Sequence, residues 1–594
     1  MRDASKVGGG EVRDQAAFFV RLLIAIAQAT GLYLLAEAGA ASPSWPATDP
    51  RLFIPLLLAW SYVPLILMLG LSQVRPRPLA VWAAVATAVI VGLGYHDAVR
   101  GRYVGVADGS AMWPRYELWL VLATGLFVAH VLVVDSIIER RFVPPYARHF
   151  DTAWKQGVQI MLATAFVLVF WGVLLLGAGL FRLVDIDFFG RLIGYRWFQY
   201  PATTLALAVA IHVTDVQPSL IRGARSLALT LLSWLLPLFV VILLGFLGSL
   251  PFTSLDPLWR TRFATTLLLA SAALLAFLIN SFYQDGATEG AASRLKRFAA
   301  AIGAIELIPL VGLAVWALSL RVGQNGWSGE RIFAAAVIAV AVCYTIGYAT
   351  AVLLSPTTLK RIEITNFVTA YVFLGLVLAL FTPVADPARL MVSDQIARLK
   401  SGATPPEKFD FMALKFDGAG WGHDALVELS QSKDGPDPAR ISALASRTLA
   451  ARSRFGPGEP LSGDEMARRI AVYPPGRALP PGFVDLNAGP FTSATLPACL
   501  RSIGGPQCVV RFITLRPGDA EAILFLDNGT GLILQVDASG RWHESGRLLG
   551  PVYCRSVRQA LEQGEFSVEP HPSPDLVLGN LRLGIDQPVV RCPN

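Results

Sequence analysis

Charge is scarce in this chain. Only 16% of its 594 residues are Asp, Glu, Lys or Arg, against roughly 25% in soluble globular proteins, which excludes a simply soluble fold. Cysteine is rarer: five residues in all, too few for a small disulfide scaffold. Catalytic signatures are missing too. There is no H-E-x-x-H, no P-loop, no G-x-S-x-G and no paired C-x-x-C, the short patterns that would mark a soluble catalytic site. No cofactor and no metal is expected.

What is present is apolar. Hydrophobic residues make up 54% of the chain and mean hydropathy is +0.52. A helix needs about 20 mostly apolar residues to cross the hydrocarbon core. Eleven stretches qualify, centred within 16–37, 52–72, 78–96, 116–138, 157–181, 200–217, 226–250, 262–284, 298–320, 331–354 and 364–385. Arg21, Gln28 and Glu37 dilute the first, and the sixth is short, with His212 and Asp215 near its end. The expected fold is an all-α transmembrane bundle of about eleven helices over 1–385. A helical neck follows over 386–455, then a Pro- and Gly-rich linker over 456–490 and a small α+β domain over 491–594.

The charge balance divides at the same place. Residues 1–385 carry 28 Lys and Arg against 20 Asp and Glu, and residues 386–594 carry 22 against 23. The basic excess belongs to the loops of the bundle, where it sets orientation; nucleic acid is not an expected partner. Basic residues cluster in the even-numbered loops: Arg75 and Arg77; Arg140, Arg141, Arg148 and Lys155; Arg222 and Arg225; Arg294, Lys296 and Arg297; Lys360 and Arg361. The positive-inside rule then puts the N-terminus in the cytoplasm, and eleven crossings put 386–594 on the outer side of the membrane. The bilayer is the first expected partner.

Cysteine placement gives an independent reading of that side. Cys343 lies in an apolar stretch, whereas Cys499, Cys508, Cys554 and Cys592 all fall in the tail. An even number confined to the external segment reads as two disulfides formed in an oxidising compartment, with three connectivities open. In the tail, 391–400, 422–432 and 438–454 read as short helices. From about 505 the pattern turns to β: CVVRFITL, AEAILFL and GLILQV are strand-like, and Asn528-Gly529 is a hairpin-turn signal. A stretch around 551–563 reads as helix.

Several blocks resemble a bacterial polytopic inner-membrane family known only as a domain of unknown function. They are RGARSLALTLLSWLLPL at 222–238, SLPFTSLDPLW at 249–259, LINSFYQDG at 278–286, LRVGQNGWSGERI at 320–332 and VSDQIARLKSGATPPEKFDFMALKF at 392–416. The resemblance covers roughly 200–430, departs at Asn325, where an aromatic is expected, and implies a multi-spanning membrane protein with no reaction or site residues attached.

Intramembrane polar groups are costly and therefore functional candidates. Glu306 stands three residues before Pro309, whose missing N–H leaves the Ile305 carbonyl without its helical partner. Such a pair suits a cation or a proton, and equally a Glu that caps a neighbouring helix. Asn280, Gln284 and Asp285 share one side of a helix end. His212 and Asp215, three apart, suit a proton relay or simply the interface. Asp185 and Asp187 form a D-x-D in an external loop, a pattern that holds divalent cations in some lipid-linked transferases and also arises by chance. Trp197, Trp259 and Trp327 read as interface anchors, and Pro64, Pro237 and Pro309 as kinks. His423-Asp424 and His543 have no nucleophile at a motif spacing.

Three function classes follow: a non-enzymatic envelope protein whose external domain binds an envelope protein or a small-molecule ligand, a secondary transporter or permease, and a lipid-linked transferase. The first is favoured because the tail is a sizeable ordered domain without catalytic motifs.

Overall fold

The computed structural model describes residues 2–40, 42–101, 113–253, 264–284, 286, 293–354, 359–432, 436–451, 454, 463–485, 489–491, 496–501, 508–515, 520–527, 530–537, 540–548, 554–568, 576–578 and 581–583. They fall into two units, 1–449 and 450–594.

The first unit is helical. It comprises α1 (Arg2–Ala38), α2 (Pro50–Gly70), α3 (Pro76–Arg100), α4 (Tyr116–Glu139), α5 (Tyr146–Arg182), α6 (Phe188–Gly194), α7 (Arg196–Val216), α8 (Pro218–Thr253), α9 (Ala264–Tyr283), α10 (Ser293–Asn325), α11 (Gly329–Leu354) and α12 (Arg361–Leu380). The neck helices are α13 (Pro387–Lys400), α14 (Phe411–Asp417), α15 (Ala419–Gln431) and α16 (Pro438–Ala450). Several start on prolines that need no N–H partner there: α2 follows Asp49, whose carboxylate accepts from Arg51 N at 3.0 Å. Outer faces are apolar throughout, as in α5, where Leu168 and Val169 are 68% and 65% exposed. α10 runs through Pro309 as one helix.

Ten of these helices, α1–α5 and α8–α12, are long and apolar enough to cross a membrane. The expected eleventh, α7, is a helix of 21 residues but is diluted by Gln199, His212 and Asp215. It nevertheless lies antiparallel along α1. Arg21, midway along α1, meets Asp215 at 2.8 Å, and Glu37 at its C-terminal end meets Arg196 at 3.6 Å. Sixteen residues of α1 separate those contacts, about 24 Å at the helical rise.

Side-chain contacts sort the helix ends into two layers. At one end Arg21 of α1 bonds to Met68 O of α2 and to Asp215 of α7. Asp135 of α4 bonds to His149 of α5, Arg225 of α8 pairs with Asp151 of α5, and Asn366 of α12 reaches Asn280 of α9. This is also the end that carries the basic loops. At the opposite end α3 and α4 meet through Asp97 and Arg115, α1 and α7 through Glu37 and Arg196, and the neck docks. Consecutive long helices therefore alternate in direction, with α7 counted among them. Arg21 and Asp386 belong to opposite layers, here called the basic end and the neck end.

Two apolar clusters fill the bundle. One joins α2, α3 and α4 to the neck through Ile54, Ile90, Leu118, Met391, Leu414 and Leu426. The other joins α8 to α12 through Leu236, Leu275, Ile279, Leu307 and Tyr348.

The second unit holds α17 (Gly463–Arg468), β1 (Ile470–Tyr473), α18 (Ala498–Arg501), β2 (Cys508–Ile513), β3 (Ala522–Leu526), β4 (Gly531–Val536), β5 (Trp542–Leu548) and α19 (Arg555–Gln563), besides a short hairpin of β6 (Leu576–Leu578) and β7 (Leu581–Leu583). The five-stranded sheet runs β1-β2-β3-β4-β5. β1 is parallel to β2 and the other pairs are antiparallel. The strands and the helix expected from the tail are present. The range expected as a linker instead contributes β1 and the buried Phe483, and the division between units falls at 449/450. β3 is buried on both faces: Ile523 and Phe525 pack toward Phe483, Phe491 and Leu500, and Leu524 and Leu526 toward Leu561 of α19. The Asn528-Gly529 turn lies outside the described residues; Leu526 and Gly531 pair on either side of it.

Cys499 and Cys508 form a disulfide across nine residues. Cys554 is also disulfide-bonded, and Cys592 lies outside the described residues. Cys343 of α11 is a free thiol. Closing so short a loop restricts the unfolded chain by about 2–3 kcal/mol. Replacing both Cys499 and Cys508 with serine should therefore lower the unfolding free energy of the second unit by that amount, read as a lower urea midpoint, and leave the bundle unchanged. An unchanged midpoint would mean that the bond adds nothing to the folded state.

Candidate functional site

The sequence-derived polar residues separate into three places. The first is a knot at the basic end. Arg21, 1% exposed, donates from Nε to Met68 O at 3.1 Å and from Nη2 to Ser72 Oγ and Asp215 Oδ2 at 3.3 and 2.8 Å. Its Nη1 lies 3.1 Å from His212 Nδ1, and Lys155 reaches the other Asp215 oxygen at 3.3 Å. His212 and Asp215 do share a face, as their spacing requires, but a guanidinium already holds them. Such a constellation joins α1, α2, α5 and α7. A dry pair of charges that satisfies its own hydrogen bonds fixes helix register more readily than it moves protons.

The second place is a hydrogen-bonded group among α5, α9, α11 and α12. Asn366 Nδ2 donates to Asn280 Oδ1 at 2.6 Å and to the Tyr146 hydroxyl at 2.9 Å, while the Tyr348 hydroxyl donates to Asn366 Oδ1 at 2.9 Å. One turn nearer the basic end, Tyr283 donates to Glu363 Oε1 at 2.9 Å. Asn280 is thus part of a half-buried network. Gln284 lies just past α9 with φ +52° and its amide N–H returns to Asn280 O. Asp285 lies outside the described residues.

The third is Glu306, which stands apart. It is 4% exposed and neither carboxylate oxygen has a hydrogen-bond partner among the described residues. The helix-capping role that would have made it ordinary is not what it does.

The D-x-D expectation finds no such support. Asp185 and Asp187 are exposed, and Asp187 lies at 4.0 Å from Arg182, itself solvent-facing. No group of three or more His, Cys, Asp or Glu side chains gathers as a metal site among the described residues. Trp197 is exposed at the start of α7, Trp327 packs against the α2–α4 cluster, and Trp259 lies outside the described residues. His423 and Asp424 lie on α15 and His543 on β5.

One constellation went unread in the sequence. Asp386, fully buried, starts α13 by accepting from Ala388 N at 2.8 Å. It also takes His96 Nε2 at 2.9 Å and Arg100 Nη2 at 2.9 Å, both from α3. Burial by itself pushes this carboxyl up, but the His96 hydrogen bond and the Arg100 charge outweigh it and hold Asp386 below the usual carboxylate range. Trp421 of α15 stacks obliquely 6.1 Å from His96. α13 in turn caps the end of α10: Arg398 donates to the carbonyls of Gly323 and Gln324, and Gln395 to Asn325 O. Gly326, φ +72°, is needed where a Cβ would strike Asp394 and Gln395. The Asp-Pro pair at 386–387 was the available signal, since it marks a helix start, though not its partner on α3.

No family model, no curated protein and no solved structure matches this chain.

Proposed function

We propose that this is a multi-pass bacterial inner-membrane protein whose eleven crossings carry a disulfide-bonded extracytoplasmic domain, and that the domain binds an envelope protein or a small-molecule ligand without catalysis. The alternation of helix ends carries the reading. It supports an odd number of crossings with α7 as the sixth, so the chain leaves the bundle at the end opposite its basic loops. The basic end is then cytoplasmic, and the Cys499–Cys508 disulfide suits the oxidising side. The neck supports it further, because a buried charge cluster at its root fixes where the chain exits. The proposed family, one known only as a domain of unknown function, agrees with this class and adds no reaction.

The test is complementation of a strain that lacks the protein. The full chain restores the wild-type envelope phenotype, and a chain ended after Leu449 does not, although it reaches the membrane in equal amount. Full rescue by the shortened chain would overturn the reading. A second reading, secondary transport, is favoured by Glu306, whose carboxylate has no hydrogen-bond partner among the described residues. It expects Glu306→Gln to abolish rescue at normal abundance.

A further inference from the structure

Among the described residues neither oxygen of the Glu306 carboxylate has a hydrogen-bond partner, and its surroundings follow from Gly303, one turn earlier on the same buried stripe of α10. A Cβ at Gly303 would lie 3.2 Å from Val240 of α8 and 2.9 and 3.6 Å from Leu275 and Ile279 of α9. α8 runs parallel to α10 and α9 antiparallel. Three residues further along, about 4.5 Å, Glu306 therefore comes level with Leu243 and Ala272, both buried. Neither α8 over 236–250 nor α9 over 264–282 carries an ionisable side chain. α11, the third neighbour, offers Cys343, Tyr344 and Tyr348 in its interior.

Among the described residues no donor reaches either oxygen of this carboxyl, and α8 and α9 bring it no cation. Leaving it ionised in the bilayer interior costs several kcal/mol, and a proton removes that cost. A metal ion does not fit as well. The oxygens on offer are one carboxyl and the Ile305 carbonyl freed by Pro309, whereas hard divalent cations take about six.

The surroundings are also lopsided. Toward the neck end the buried stripe of α10 continues as Leu307, Leu310, Val311, Ala314 and Leu318, all apolar. Toward the basic end lies Asn280, eight residues of α9 beyond Ala272 and so about 12 Å or two helical turns away, hydrogen-bonded through Asn366 to Tyr348, and beyond it Tyr283 and Glu363.

We propose that Glu306 is a proton-binding site that exchanges with the basic end of the bundle through the side chains of Asn280, Asn366 and Tyr348. The Glu306 O–H gives its proton to water arriving along that route and takes one back from the same side, so no charge is stranded. The site rests on the transport reading only for its use, as the place where a coupling proton would sit; binding itself is measured directly.

The experiment is infrared spectroscopy of the full chain in lipid vesicles, in light and heavy water. The wild type shows the carbonyl stretch of a protonated carboxyl, the band shifts in heavy water, and Glu306→Gln removes it. Asn366→Leu keeps the band but slows its shift at least several-fold, and Asn280→Ala serves as the second variant if Asn366→Leu does not fold. A Glu306→Gln spectrum identical to wild type in this region, or a band that never shifts, overturns the proposal. Exchange at the wild-type rate in folded Asn366→Leu or Asn280→Ala overturns the route. Loss of the transport reading, seen as full rescue by Glu306→Gln, would leave the band in place, so the two failures are distinguishable.

Discussion

Asp386→Ala releases the neck from the bundle and costs about 3–5 kcal/mol, the range for breaking a buried ion pair by removing one partner. Arg100 and His96, 7% and 11% exposed at their side chains, lose their buried carboxylate partner, and α13 loses its cap. Limited proteolysis of the purified protein should then cut between Ser401 and Leu449, where the wild type resists. Asp386→Asn keeps an acceptor for Ala388 N but not the charge, and falls between. The pH dependence has a definite sign. Because the folded-state carboxyl is held below its ordinary value, its contribution is complete above the unfolded value of about 4. It is lost as pH falls through the depressed folded value. Proteolysis of the neck should accordingly rise only in strong acid, and a loosening between pH 5 and 8 would contradict this account of the junction.

Arg21→Ala is the second large effect. It removes four contacts at once and leaves Asp215 with the Ser72 hydroxyl and with Lys155, the latter at 3.3 Å and partly solvated. A loss of about 3–5 kcal/mol is expected, read as a lower unfolding midpoint in detergent with α1 and α7 loosened together. Arg21→Met combined with Asp215→Asn should cost less than the sum of the single changes, because each single change leaves a charge without its partner. Strict additivity would mean that the two residues do not act as a pair.

Much of the architecture is legible in the sequence because it is local. A run of apolar residues or the alternation in CVVRFI states its own burial, and ten of the long helices and strands β2, β3 and β4 appear where their patterns put them. The pairings are another matter. Arg21 meets Asp215 across 194 positions and His96 meets Asp386 across 290, and periodicity carries no information about which helix is the neighbour. Arg21 and Glu37 looked like blemishes on a weak helix, and His212 and Asp215 like a reason to doubt another. The structure shows that the blemishes are the two ends of one antiparallel pair. Residues 456–490 were misleading for a different reason: prolines and glycines mask the short β1, whose register with β2 depends on Cys508–Arg511. Glu306 can be picked out by type and position, but that no described residue hydrogen-bonds to its carboxylate is a fact of packing.

The central claim is that an odd number of crossings puts the cysteine-bearing domain on the oxidising side of the membrane. Labelling of intact cells with a membrane-impermeant maleimide tests it most directly, in a Cys343→Ser background so that only the tail cysteines report. The account predicts labelling of intact cells after reduction and none before it. Labelling that appears only on lysis, without a reductant, would put the domain in the cytoplasm and require an even number of crossings, contradicting the alternation of helix ends.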